Sequence, residues 1–272
     1  MNYRHAYHAG NFADCMKHAL LVWLLRAMAR KPAGFFVLDT HAGRGRYDLE
    51  VGPAALTGEW RAGIGRLLED PPAALADYLG LVRQCGLYPG SPTLIAAMVR
   101  PQDRLACCEL QAEEYAALKR LFRANDRVAV HHRDGWEALA ALLPPPERRA
   151  LVLVDPPYEP LDDFARLAER LRAGHARCPG GVFAAWYPIK HRARVREFHL
   201  GLRDTGMRDI VIAELWLREP LDAARLNGCG LAVINPPFRF DVEAPPILEA
   251  LLARLGDGAA GAGVVLERLV DE

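Results

Sequence analysis

Leu151-Val152-Leu153-Val154-Asp155-Pro156-Pro157-Tyr158 decides how this 272-residue chain is read. Four apolar residues make a short buried strand, and two prolines end it by removing backbone donors and fixing the turn. In an open α/β sheet, ligands bind outside the carboxyl ends of the strands. The turn therefore sets a carboxylate, outward-pointing carbonyls and an aromatic face side by side at such an end. Methylation of an exocyclic amine needs that set. A nitrogen such as adenine N6 delocalises its lone pair into the ring and is a poor nucleophile. Asp155 and the Pro156 carbonyl can each accept one N–H and localise the lone pair, while Tyr158 stacks on the flat base. The plainer alternative is a stiff strand-end turn with a surface aspartate.

Outward from this run, six more apolar stretches read as strands: Phe35–Leu38, Arg104–Leu110, Val128–His132, Gly181–Tyr187, Ile210–Leu217 and Leu231–Ile234. Helical segments separate them, which argues for βαβ units and a mostly parallel sheet. The last two are joined by 218–230, too short for a crossover helix, so an antiparallel pair is expected at the edge. Seven strands with that ending describe an α/β, Rossmann-like class I methyltransferase sheet with an antiparallel edge strand. Residues 11–30 read as an amphipathic helix capped by Asn11. Residues 50–100, broken by Pro71-Pro72 and Pro89, exceed a simple crossover and read as a small helical insertion. The domain expected is thus 1–49 with 101–272, including an N-terminal lid and helix. The Gly/Ala-rich stretch 256–263 reads as a loop.

The first strand runs into Asp39-Thr40-His41-Ala42-Gly43-Arg44-Gly45. Gly43 and Gly45 allow the backbone to approach a ligand closely, although a third glycine, needed for a dinucleotide fingerprint, is absent. Asp39, Glu109, Asp134 and Asp155 end four successive strands on one rim. Glu109 there can grip two ribose hydroxyls, and Asp134-Gly135 lies where an adenine ring would sit. An adenosyl-cofactor site is the better reading of four such carboxylates. The segment Tyr3–Asn11, rich in aromatics and histidines, is either an ordered arm packed on the domain or a lid whose Tyr3 touches the substrate base. Lys17 and His18 on the next helix are either ordinary helix residues or reach the polar tail of the cofactor.

Lys and Arg number 34, as do Asp and Glu, so no global field draws the chain to nucleic acid. Local excesses exist in 1–46 and in 186–208, where Lys190, Arg192 and Arg194 are expected to track phosphates. The six cysteines form no CxxC and no zinc-ligand spacing, and Cys107 and Cys108 read as reduced thiols packed in a strand. The N-terminus has no signal-type apolar stretch and Ala19–Leu25 is too short to cross a bilayer, so a cytoplasmic protein without membrane or metal is expected. No feature demands a dimer, and a monomer is expected. Asn235-Pro236-Pro237-Phe238 imitates the NPPY of glutamine-methylating enzymes but follows the last strand, and reads as a structural turn.

YRHAYHAGNFADCMKH from residue 3, LDTHAGRGRY, YPGSP, DGW, VDPPY and AWYP together resemble the bacterial family that methylates adenine N6 in 23S ribosomal RNA using S-adenosylmethionine. The likeness runs in order to the NPP at 235. It implies a DPPY-type enzyme that transfers methyl in line to N6 of one adenosine. It implies cofactor contacts by His18, His41, Ser91, Glu109, Asp134, Gly135 and Asp155, with Lys17 and Gly43 added from the reading above. Asp155 would receive or orient the amine proton, with Pro156 and Tyr158 beside it and Tyr3 on the substrate. Arg44 stands where the family has a small residue. The rival readings are a DNA adenine or protein glutamine methyltransferase, and a non-catalytic RNA-binding assembly protein.

Overall fold

Asn11 opens the first long element: its side-chain oxygen accepts the backbone N–H groups of Ala13 and Asp14, both at 3.0 Å, and caps α1 (Phe12–Ala29). In the computed structural model, which describes residues 5–158 and 163–272, this helix is enclosed nearly all round. It is therefore not the amphipathic surface helix its sequence suggests. Its polar residues Asp14, Lys17 and His18 are buried with the rest, because they pair with one another and with the sheet.

After α1 come β1 (Phe36–Asp39), β2 (Arg46–Tyr47), α2 (Pro53–Thr57), α3 (Arg66–Glu69), α4 (Ala76–Gln84), β3 (Tyr88–Pro89) and α5 (Ser91–Met98). Strand and helix then alternate through β4 (Arg104–Glu109), α6 (Ala112–Leu121), β5 (Val128–His132), α7 (Gly135–Ala141), β6 (Ala150–Val154) and α8 (Asp163–Arg177). The chain ends with β7 (Val182–Ile189), α9 (Arg192–Asp204), β8 (Ile210–Trp216), β9 (Gly228–Ile234), α10 (Phe240–Leu255) and β10 (Gly263–Val270). No helix among the described residues is long and apolar enough to cross a membrane.

The main sheet runs β10-β8-β9-β7-β6-β1-β4-β5, and β2 pairs with β3 separately. From β5 to β7 every pairing is parallel. The chain leaves β1 towards β4 on one side and returns to β6 on the other, which puts the switch in strand order between β1 and β6. The sheet thus has the class expected, mixed α/β and mostly parallel with an antiparallel edge strand, but it holds eight strands, not seven, and the edge strand is neither of the two expected there. The short 217–227 connection does return β9 antiparallel, but β9 inserts between β7 and β8. The edge belongs to β10, antiparallel to β8.

Side chains alternate across the sheet with the two-residue period of a strand. Val37, Leu105, Leu151 and Leu153 face one core, shared with α1, α4, α5 and α10. Phe36, Leu38, Ala106, Val152 and Val154 face the other, under α7, α8 and α9. Cys107 and Cys108 point to opposite sides as free, fully buried thiols. Asn235 closes β9 with φ at 53° and donates to the carbonyls of Pro179 and Gly181 at 2.7 and 2.8 Å. Because β9 runs against β7, this NPP turn sits on the rim opposite the one where β1 and β6 end.

Candidate active site

The four strand-end carboxylates lie on the carboxyl rim, beside the switch between β1 and β6. Glu109 is fixed by its own neighbourhood: Oε2 accepts the Gly43 N–H at 2.9 Å and Oε1 that of Gln111 at 2.7 Å. Gly43 adopts φ of 63°, and a side chain there would run into the Tyr47 hydroxyl, so this turn requires glycine. Asp134 caps α7 through the Trp136 N–H at 2.8 Å. Ser91, the first residue of α5, donates to Asp39 Oδ2 at 2.7 Å. Thr40 spends its hydroxyl proton on the Leu153 carbonyl, so His41 Nδ1, 2.8 Å away, must be the donor of that pair.

Lys17, His18, His41, Gly43 and Ser91 all line one cavity, together with Glu109, Asp134, Gly135 and Asp155. A second cavity shares His5, Lys17, Asp155, Pro156 and Pro157 with the first and continues past Tyr158, Trp186 and Lys190. The Asp155-Pro156-Pro157 turn is thus the common wall. Tyr158 holds a left-handed backbone, φ 50°, which is strained for a bulky residue. Its hydroxyl donates to the Trp186 carbonyl, and its ring meets those of Trp186 and Phe164 at 5.7 and 5.4 Å.

Arg192 and Arg194 enter neither cavity. Arg192 binds the buried Glu214 at 2.5 Å, with its guanidinium 4.1 Å from the Trp216 ring centroid. Arg194 pairs with Glu197 at 3.4 Å. Tyr3 lies outside the described residues. Arg44, the departure from the family pattern, reaches Glu114 with two parallel contacts of 2.9 Å.

Sequence reading missed the charge chain at the centre. Lys17 Nζ lies 2.6 Å from Asp155 Oδ2 and 2.9 Å from Asp14 Oδ1, while His5 Nε2 is 3.3 Å from Asp14 Oδ2. The signal was present: Asp14, Lys17 and His18 fall at i, i+3 and i+4 of an otherwise apolar helix, hence on one face. Burial would lower the Lys17 ammonium, but Asp14 and Asp155 together hold it well above its ordinary value. Burial likewise opposes charge on Asp14, and the surrounding cationic groups hold it well below. Burial depresses His18 to about 3 and His41 to about 4, so both imidazoles are neutral at pH 7.

Asp39 behaves in the opposite way. It is fully buried, its Oδ1 accepts no hydrogen bond among the described residues, and burial pushes its carboxyl up to about 7 despite the Ser91 bond. A raised carboxyl means that the folded state retains a proton the unfolded chain releases near pH 4. The associated stability is complete below that pH and is lost as pH rises through about 7. Asp39→Asn removes this titration. The stability of the variant relative to the parent should rise between pH 4 and 7, by up to about 1.4 kcal/mol per pH unit. Urea unfolding across that range measures it, and a difference independent of pH would contradict the assignment.

A family model described as Ribosomal RNA large subunit methyltransferase D, RlmJ, matches residues 32–266. "Ribosomal RNA large subunit methyltransferase J" of Haemophilus influenzae is 37% identical over 274 residues, covering 97% of this chain and 98% of the relative. The Escherichia coli protein of the same name is 36% identical over 273 residues with the same coverage. A crystal structure of a Legionella pneumophila protein superposes with a TM-score of 0.88 at 35% identity, covering 96% of this chain and 98% of that one.

Proposed function

This chain belongs to the ribosomal RNA large subunit methyltransferase J family, and on that premise we propose that it methylates the N6 amine of an adenosine in 23S ribosomal RNA with S-adenosylmethionine. The observation that carries the reading is the shared wall: one turn, Asp155-Pro156-Pro157, borders two cavities at once. The first fits the cofactor by the chemistry of its donors and acceptors. Glu109, in its wall, suits ribose hydroxyls. His18, His41, Ser91, Asp134, Gly135, Lys17 and the Gly43 backbone would hold the rest. S-Adenosylmethionine supplies an electrophilic methyl group.

The second cavity, with the Tyr158 and Trp186 rings in its wall, takes the target adenosine. The base must leave its stack to enter, which costs a few kcal/mol and is cheapest at an unpaired site. Asp155 and the Pro156 carbonyl accept the amine protons and localise the nitrogen lone pair. Lys17 is not a base, since two carboxylates keep it charged; it fixes one Asp155 oxygen and leaves the other for the substrate. Asp155 then orients or receives the proton that N6 loses.

Of the three basic residues expected at phosphates, Lys190 borders this cavity, while Arg192 braces β8 through Glu214. Lys190→Ala is expected to make the salt dependence of RNA affinity shallower by about one unit of log–log slope. An unchanged slope, measured by filter binding at several salt concentrations, removes Lys190 from the phosphate path. The function itself is tested by incubating the protein with labelled S-adenosylmethionine and unmodified 23S RNA, duplex DNA or a protein extract. Label confined to the RNA supports the reading. Label confined to DNA or protein overturns the substrate, and no label in any of them points to a binding or assembly role.

A further inference from the structure

Residues 5–11 approach the site as an arm ahead of α1. His5, near its start, borders both cavities and lies beside Asp14, which touches Lys17 and through it Asp155. The arm brings little apolar surface of its own: Ala6 and Ala9 are its buried hydrophobic residues, and Tyr7 is exposed. The His5 ring and the Gly10 N–H, the latter at 3.0 Å, meet Asp14, and further polar attachments run to the helical stretch 53–65. His8 Nδ1 lies 3.0 and 3.1 Å from the two oxygens of Glu59, and Asn11 Nδ2 donates to Glu59 Oε2 at 3.0 Å. Thr57 Oγ1 donates to the Tyr7 carbonyl at 2.6 Å, and the Ile64 N–H to the Gly10 carbonyl at 2.9 Å. Gly63 packs so closely on Gly10 and Asn11 that a Cβ would collide with their backbone.

Glu59 is the hub of these contacts, and it also borders the second cavity. One side chain, Asn11, serves two purposes: its oxygen caps α1 while its amide nitrogen binds Glu59. Glu59 therefore fixes both the arm and the start of the helix that carries Asp14 and Lys17. We propose that Glu59 is a positioning residue for methyl transfer, latching the arm of residues 5–11 across the mouth of the substrate cavity. This gives the helical insertion at 50–100 a task, and it rests on reading that cavity as the adenosine site. The latch is a hydrogen-bonded carboxylate on a half-exposed surface, backed by the Thr57 and Ile64 bonds on either side of it. Glu59 touches neither Asp155 nor Lys17 directly, so its effect passes through the arm.

The test compares Glu59→Ala with Glu59→Gln. The alanine variant is expected to lose about 10- to 100-fold in kcat/KM for unmodified 23S RNA, because a misplaced wall costs orientation at the reacting atoms. Its affinity for S-adenosylmethionine should be unchanged, which also shows that it is folded. The glutamine variant should keep most activity, since its amide can still accept from Asn11 and pair with His8. Amide hydrogen exchange, measured with no substrate, should show residues 5–11 losing protection in Glu59→Ala and retaining it in Glu59→Gln. Unaltered exchange in the arm of Glu59→Ala overturns the latch, as does a loss of cofactor affinity equal to the loss on RNA. Absence of methyl transfer to RNA by the parent protein would instead overturn the substrate reading, and the exchange experiment would still decide the latch.

Discussion

Asp155→Asn is expected to lower methyl transfer about 10²–10³-fold while leaving the chain folded and cofactor affinity far less affected. The substitution keeps the shape of the side chain and exchanges part of its acceptor capacity for donors. Lys17 would take the one oxygen that remains, which turns the amide NH2 towards the substrate amine, donor against donor, so the nitrogen lone pair is not localised. The fold should survive because Asp155 lies beyond the end of β6, and Lys17 retains Asp14 at 2.9 Å when Asp155 is neutralised. Single-turnover transfer to unmodified RNA, alongside calorimetric titration with the cofactor, separates the two effects. Near-normal turnover in Asp155→Asn or Asp155→Ala would remove Asp155 from the chemistry.

The second large effect is on stability. Lys17→Met should destabilise the protein by about 3–5 kcal/mol, because it leaves the buried Asp14 carboxylate without its closest cation. A methionine fills much of the same volume, so lost packing contributes little. The damage comes from an uncompensated charge, and removing that charge should repair part of it. The double variant Asp14→Asn with Lys17→Met is therefore expected to be more stable than Lys17→Met alone. A double-mutant cycle by denaturant unfolding gives the coupling, for which neighbours in one network show about 0.5–3 kcal/mol. Additive effects of the two substitutions would mean that Asp14 and Lys17 act independently, against the geometry.

The central strands were legible because each is buried on both faces and so shows as an unbroken apolar run bounded by turn residues. The acidic residues at their ends were legible for the same reason, since a carboxylate closing such a run has few structural uses. What escaped was decided by distant pairing. The strand β10 carries Glu267 and Arg268 at a half-exposed edge, so its pattern resembles a polar tail. Helix α1 looks amphipathic until Asp155, far along the chain, is seen to neutralise Lys17 inside it. Arg192 was read with the basic stretch around it, although Glu214, a carboxylate within the apolar run Ile210–Leu217, implied that a cation had to come and meet it. The latch at Glu59 joins two segments whose contact no local pattern announces.

The most direct measurement is the identity of the methylated nucleoside. Unmodified 23S RNA would be incubated with the protein and S-adenosylmethionine, digested to nucleosides and resolved by mass spectrometry beside the Asp155→Asn reaction. N6-methyladenosine formed by the parent protein and nearly absent from the variant reaction is the result expected. A methyl group on a ring nitrogen, on carbon or on ribose would contradict the account, because the Asp155 carboxylate and the Pro156 carbonyl together offer two acceptors for the two protons of an exocyclic amine.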